Sequence, residues 1–257
     1  MPTPRPSEYR AFPDVVVSTR GRIADLEIER IGGAVGRLLA RHGVTGGARV
    51  RVTGANRDDG PMLVQVNLRV LGTPTRIQTM VPGKGVVLPA VDRLDKQISR
   101  LSGPWQPWTR SDPTRSALAV PGAGTVARRK PYALARADVG VAVASMDAMD
   151  YDVHLFTDAE TGEDAIVYRA AALGLRLTRQ RHQHLPRLPN PPAALSLTVS
   201  SRPPPVLSED PAVEWLCEHG LPFLFFTDLA DGRGHLLYRR YDGDLGLISP
   251  NPADRAT

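Results

Sequence analysis

Cations at helical spacing mark the opening part of this chain, and the chemistry they could do is grip phosphate. Arg30, Arg37 and Arg41 are separated by 7 and 4 positions, which at about 3.6 residues per turn puts them within roughly 40° of one another. Arg93, Lys96 and Arg100 share a second helical face. An arginine fork meets two oxygens of one phosphate, so such stripes suit a polyanion read by shape and backbone rather than by base sequence. Arg20 and Arg22, just before the first stripe, and Lys84, just before the second, are further candidates. The competing account is a solvated face whose cations complement a helix C-terminal dipole, with Asp25, Glu27 and Glu29 favouring the other end of the first helix.

Other reactive residue types do not assemble a catalytic set. Trp105 and Trp108 could stack on bases, although such residues more often pack on their own domain. His182 and His184 have a metal-like spacing but sit in a proline-flanked segment without Cys or acidic neighbours, so no metal site is expected. Cys217, beside Trp215 and Leu216, fits a small hydrophobe better than a nucleophile, and as the only cysteine it excludes an internal disulfide. Gly83-Lys84-Gly85 lacks the spacing of a P-loop. Asp150, Asp152, Asp158 and Glu160 would be scattered by strand alternation and a tight turn. The expectation is a protein that is not an enzyme and needs no cofactor.

The elements that must hold the two stripes follow from periodicity. A short β-branched strand at 14–18 precedes a helix at 23–42 ended by Gly43, in which Gly32-Gly33 costs about 1 kcal/mol per glycine relative to alanine and demands support from packing. Residues 48–53 and 63–70 alternate, and 75–80 gives another strand. A last helix has Pro89 near its first turn and Val91, Leu94, Ile98 and Leu101 on one face. The order is β-α-β-β-β-α, a dsRBD-like arrangement in which one sheet face carries both helices and the other presents Arg and amide side chains.

Charge divides the chain. The net +5 is the sum of +7 over residues 1–103, +4 over 104–135, −5 over 136–178, +4 over 179–202 and −5 over the rest. A basic front and acidic rear suggest that only the front meets a polyanion. Arginine supplies 29 of the 32 basic residues, a preference that an Arg-rich genome would also produce. No run of 18 apolar residues and no signal-peptide-like stretch occurs, so a cytoplasmic protein without membrane insertion is expected. Pro-rich connectors at 104–125 and 181–198 separate three expected domains, 1–103, 126–180 and 199–257.

The rear domains are copies of each other. VHLFTDAETGEDAIVYR, from Val153 to Arg169, returns at an offset of 70 as FLFFTDLADGRGHLLYR, from Phe223 to Arg239. Each reads as β-α-β-β-β, making the chain α+β throughout. The helix of the first opens at Asp138 and runs to about 149; that of the second has Asp210 as N-cap, Pro211 at N1 and Gly220 at its end. Phe223 to Phe226 is apolar on both faces, and Val153, Leu155 and Phe156 nearly so. One helix covers one face, and the other copy is the nearest cover for the second. Val153, Leu155, Phe156, Val167 and Tyr168 would then meet Phe223, Phe225, Phe226, Leu237 and Tyr238. A tether of about 30 residues would give a local concentration on the order of mM, favouring a monomer with an internal pseudo-dimer.

The unit from Asp150 to Arg169, with Tyr241-Asp242-Gly243-Asp244-Leu245-Gly246-Leu247-Ile248 closing the second copy, resembles the C-terminal domain of long-form ribosome hibernation-promoting factors of the sigma-54 modulation type. Ala90 to Ile98 is similar to the last helix of that family's ribosome-binding domain. Within that family the chain resembles the two-copy actinobacterial members made under hypoxia. The resemblance implies a stress and dormancy factor whose N-terminal domain binds 16S rRNA in the mRNA channel of the small subunit, near the A and P sites, excluding mRNA and tRNA. The common long form carries one C-terminal domain and pairs ribosomes through it, whereas this chain supplies two. The first copy also has Ala170-Ala171-Ala172-Leu173-Gly174 in place of the family's D-G-x-x-G turn. The alternative reading is a stress regulator whose acidic repeats grip a protein partner, the basic domain adding nonspecific RNA affinity.

Overall fold

The computed structural model describes residues 8–12, 14–54, 61–81, 87–106, 123–170, 174–187, 196–240 and 243–251. Among them are four helices and three five-stranded mixed sheets, an α+β fold. The chain divides into two units, one of residues 1–106 with 147–151, the other of 107–146 with 152–257.

The sheet of unit 1 runs β1 (Glu8–Phe12), β2 (Val15–Arg20), β3 (Ala48–Gly54), β4 (Met62–Val70) and β5 (Thr73–Val81), with helices α1 (Asp25–Arg41) and α2 (Leu88–Leu101). Only β2 and β3 pair in parallel, as the α1 crossover between them requires. Alternation sends Val50, Val52, Val64, Val66 and Ile77 to one face, where Ile31, Val35 and Leu38 of α1 and Leu94 and Ile98 of α2 bury them. Gly32 and Gly36 are buried in α1, so packing offsets their poor helix propensity. β1, in the proline-rich start, is an edge strand that periodicity did not announce.

Unit 2 contains two sheets that share strands across the copies. The first copy supplies β7 (Arg136–Ala137), α3 (Val139–Ala148, whose last two residues belong to unit 1), β8 (Val153–Asp158), β9 (Asp164–Arg169) and β10 (Leu175–Arg179). The second supplies β12 (Val206–Leu207), α4 (Glu209–Glu218), β13 (Phe223–Asp228), β14 (Gly234–Arg239) and β15 (Leu245–Pro250). The strand leading each copy joins the sheet of the other: β6 (Val126–Tyr132) pairs in parallel with β15, and β11 (Leu197–Val199) with β10. Each copy has the expected β-α-β-β-β order, with β7 and β12 in their own sheets, and the added parallel edge pairing leaves no periodicity that names its partner. Asp138 accepts from the Val141 N–H at 2.8 Å, capping α3 as expected. In α4 the N-cap is Ser208, and Asp210 lies in the first turn, where it favours the positive helix end.

Candidate nucleic-acid interface

Unit 1 presents its cations from two helices and one sheet face. On α1, Arg30, Arg37 and Arg41 are all exposed, because buried Ile31, Val35 and Leu38 hold the opposite face against the sheet. Arg30 bonds Glu27 at 2.9 Å and Arg41 bonds Asp95 of α2 at 2.8 Å. His42 meets the same Asp95 oxygen at 2.5 Å. Those two bonds, that to His42 first and that to Arg41 second, hold Asp95 below the usual carboxylate range. Arg20 and Arg22 are exposed before α1, and Lys96 is exposed on α2. Lys84 and Trp108 lie outside the described residues, while Trp105 is half-buried.

Arg93 and Arg100 are placed differently from Lys96. Arg93 forms a two-pronged bond to Asp150, Nε to Oδ2 at 2.9 Å and Nη2 to Oδ1 at 2.8 Å. Arg100 donates to the Asp147 carbonyl at 3.0 Å, beside Gln97, whose amide donates to the carbonyls of Asp147 and Ala148. Helical spacing put the three cations on one face; the acidic turn at 147–151 has a spacing in the chain that no local pattern links to α2.

The open sheet face adds cations that the helical stripes left out. Arg49 and Arg51 of β3 and Arg69 of β4 are exposed, in rows with Asn67 and Gln65, and Arg76 hydrogen-bonds Gln78 on β5. Their signal was present in the alternation, which sets Val50 and Val52 against Arg49 and Arg51.

In unit 2 the expected apolar contacts divide between two clusters. Leu155 and Ile166 of the first copy pack with Phe225 and Leu236 of the second, flanked by Val153, Tyr168 and Phe223. Leu155 matches Phe225 and Ile166 matches Leu236 at the offset of 70, so equivalent residues meet. The Tyr168 and Phe223 rings meet edge-on at 5.3 Å between centroids. Phe226 and Leu237 face the other way, into a cluster with Ala212 and Leu216 of α4, because alternation puts them on the opposite strand face. Phe156 and Val167 are fully buried, Phe156 stacking on His154, and the Tyr238 ring lies under the Lys130 ammonium. Cys217 is half-buried against the α4 cluster.

Polar groups of unit 2 are largely committed. Asp164 accepts from Arg233 Nε at 2.7 Å, Arg233 Nη2 at 3.0 Å and the Gly234 N–H at 2.8 Å. Arg179, fully buried, donates to Asp158, Glu160 and the His184 carbonyl. His182 bonds Glu163 and His184 approaches Glu160, so both histidines pair with carboxylates that lie far from them in sequence. Burial pushes the Glu163 carboxyl up, yet the N–H groups of His182 and Arg181 and their side chains together hold it below its ordinary value. Asp228, Asp231 and His235 bring ligand-type atoms within 4.8 Å, but Asp228 accepts from the N–H groups of Ala230 and Asp231, and His235 bonds Asp231. Among the described residues no helix is long and apolar enough to cross a membrane.

Residues 122–177 match the family described as Sigma 54 modulation/S30EA ribosomal protein C terminus. Along nearly its whole length the chain is similar to the dormancy associated translation inhibitor of Mycobacterium tuberculosis, in strain CDC 1551 and in strain H37Rv. Each is 57% identical over 252 residues, covering 96% of this chain and 92% of the relative.

Proposed function

The chain belongs to the long-form ribosome hibernation-promoting factors of the S30AE/sigma-54 modulation type, and we propose that it binds the small ribosomal subunit and inhibits translation during stress or dormancy. The observation that carries this reading is the 57% identity, across 96% of the chain, to a protein named as a translation inhibitor. In this reading unit 1 enters the mRNA and tRNA channel in the cytoplasm and holds 16S rRNA through its exposed arginines. Arg37 and Arg41 on α1, Lys96 on α2 and the Arg49–Arg51 row supply cations for phosphate oxygens, with the dsRBD-like sheet and helices as their frame. The acidic turns of unit 2 are spent largely on internal partners, which argues against acidic repeats as a protein-gripping surface.

The two copies act as an internal pseudo-dimer, so the chain works as a monomer and caps the surface that would otherwise join two ribosomes. Support comes from the reciprocal exchange of β6 and β11 and from the cluster in which equivalent residues meet. Footprinting of 16S rRNA by the full chain tests the reading. Protection is expected in the mRNA channel, and replacing Arg37, Arg41, Arg93 and Lys96 together by glutamine should weaken it and flatten its salt dependence. Protection elsewhere, or an unaltered footprint in that variant, would count against the site; a stable paired-ribosome peak in sedimentation would count against the internal cap.

A further inference from the structure

Within unit 1 the carboxylate of Asp150 sits in a donor set built for a phosphate. Its Oδ2 accepts from Arg93 Nε at 2.9 Å and from the Gln78 N–H at 3.0 Å, and its Oδ1 from Arg93 Nη2 at 2.8 Å. A guanidinium fork beside a backbone N–H is how proteins hold the phosphodiester of a nucleic acid. The Gln78 donor is available because β5 is the edge of its sheet. Arg100 lies two helical turns beyond on the same α2 face, bonded to the Asp147 carbonyl.

The chain's own duplication shows that this carboxylate is not needed for the turn. Asp150 has φ +53, a left-handed backbone that favours glycine, and the matching position in the second copy is Gly220 at φ +58. Asp147 is likewise matched by Cys217. The first copy therefore keeps a strained acidic residue where its sister keeps glycine, and the carboxylate it gains goes to Arg93 and Gln78.

We propose that Arg93 and the Gln78 N–H form a phosphodiester-binding pocket for RNA, which Asp150 occupies in the free chain and leaves when RNA binds. This rests on the reading of unit 1 as the rRNA-binding part. An internal carboxylate lowers the apparent affinity for RNA by the fraction of chains in which the pocket is open. It also hides one cation from nonspecific polyanions.

The test is titration of the full chain with 16S rRNA at several salt concentrations. Asp150→Asn keeps a residue that tolerates the left-handed backbone but removes the charge, and Asp150→Gly installs the sister residue. Both should bind about 5- to 30-fold tighter than the natural chain, and Arg93→Ala combined with Asp150→Gly should cancel the gain. In the natural chain, amide exchange at residues 147–151 should speed up when rRNA is added. Unchanged or weaker binding by both variants, or unchanged exchange at the turn, overturns the pocket while leaving the rRNA reading intact. A natural chain that fails to bind 16S rRNA at all overturns both.

Discussion

Where the first copy buries Arg179 against Asp158 and Glu160, the second has Ser249, and where the first has Asp164 the second has Gly234. The second difference concerns equivalent positions that touch. A Cβ on Gly234 would come within 2.7 Å of the Asp164 Cβ and of the Phe225 ring. Two first copies packed in this way would set Asp164 against another Asp164, and two second copies would leave Arg233 facing Gly234 in place of a carboxylate. The divergence is thus complementary: an acid on one side, a guanidinium and an absent side chain on the other. The surface thereby favours its sister over a like copy, through repulsion between two Asp164 carboxylates as well as the attraction between Asp164 and Arg233.

The largest effect should come from the residue that only the first copy has. Arg179→Ala leaves the buried Asp158 carboxylate without its guanidinium and should cost about 3–5 kcal/mol, read as a lower urea midpoint, whereas Ser249→Ala should stay within about 0.5 kcal/mol. A loss below about 1 kcal/mol for Arg179→Ala would mean that the buried pair contributes nothing to the difference.

Acid should expose a second asymmetry. His154 stands where the second copy has Leu224, and burial pushes its imidazole down to about 4. The folded state keeps this ring neutral while the unfolded chain takes up a proton near pH 6.5. Stability is therefore complete above pH 6.5 and falls as pH drops toward 4, by up to about 3 kcal/mol. His154→Leu should remove that part of the pH dependence in chemical unfolding measured at successive pH values; an unchanged slope would place it elsewhere.

The smallest expected effect tests the complementary pair. Gly234→Ala should destabilise by about 1–3 kcal/mol through overpacking, and pairing it with Asp164→Gly should recover the part due to the Asp164 contact. Additive losses in that double-mutant cycle would separate the two positions.

Much of this architecture was legible in the sequence because it is written in local periods. Alternation located β3, β4 and β5, the 3.6-residue period located α1 and α2, and an offset of 70 exposed the duplication. On the apolar strand faces, alternation also separates Leu155 from Phe156, but two-sided hydrophobicity hid which side met the sister copy. What stayed hidden was non-local. The exchanged strands β6 and β11, the buried Arg179 and the Asp150 bond to Arg93 each join residues whose kinship is set by the fold. Long β-branched or aromatic runs announce themselves, whereas β1 and β11 lie in proline-rich stretches that read as connectors.

The exchange of β6 also governs the order in which the protein can mature. Its pairing partner, β15, spans Leu245–Pro250, so β6 cannot make this pairing until β15 has left the exit tunnel. The first copy likewise waits for β11 before its sheet is complete. Rear-half maturation therefore depends on contacts distant in the chain and is cooperative, and a product truncated between the copies would leave β6 as an unpaired edge open to aggregation.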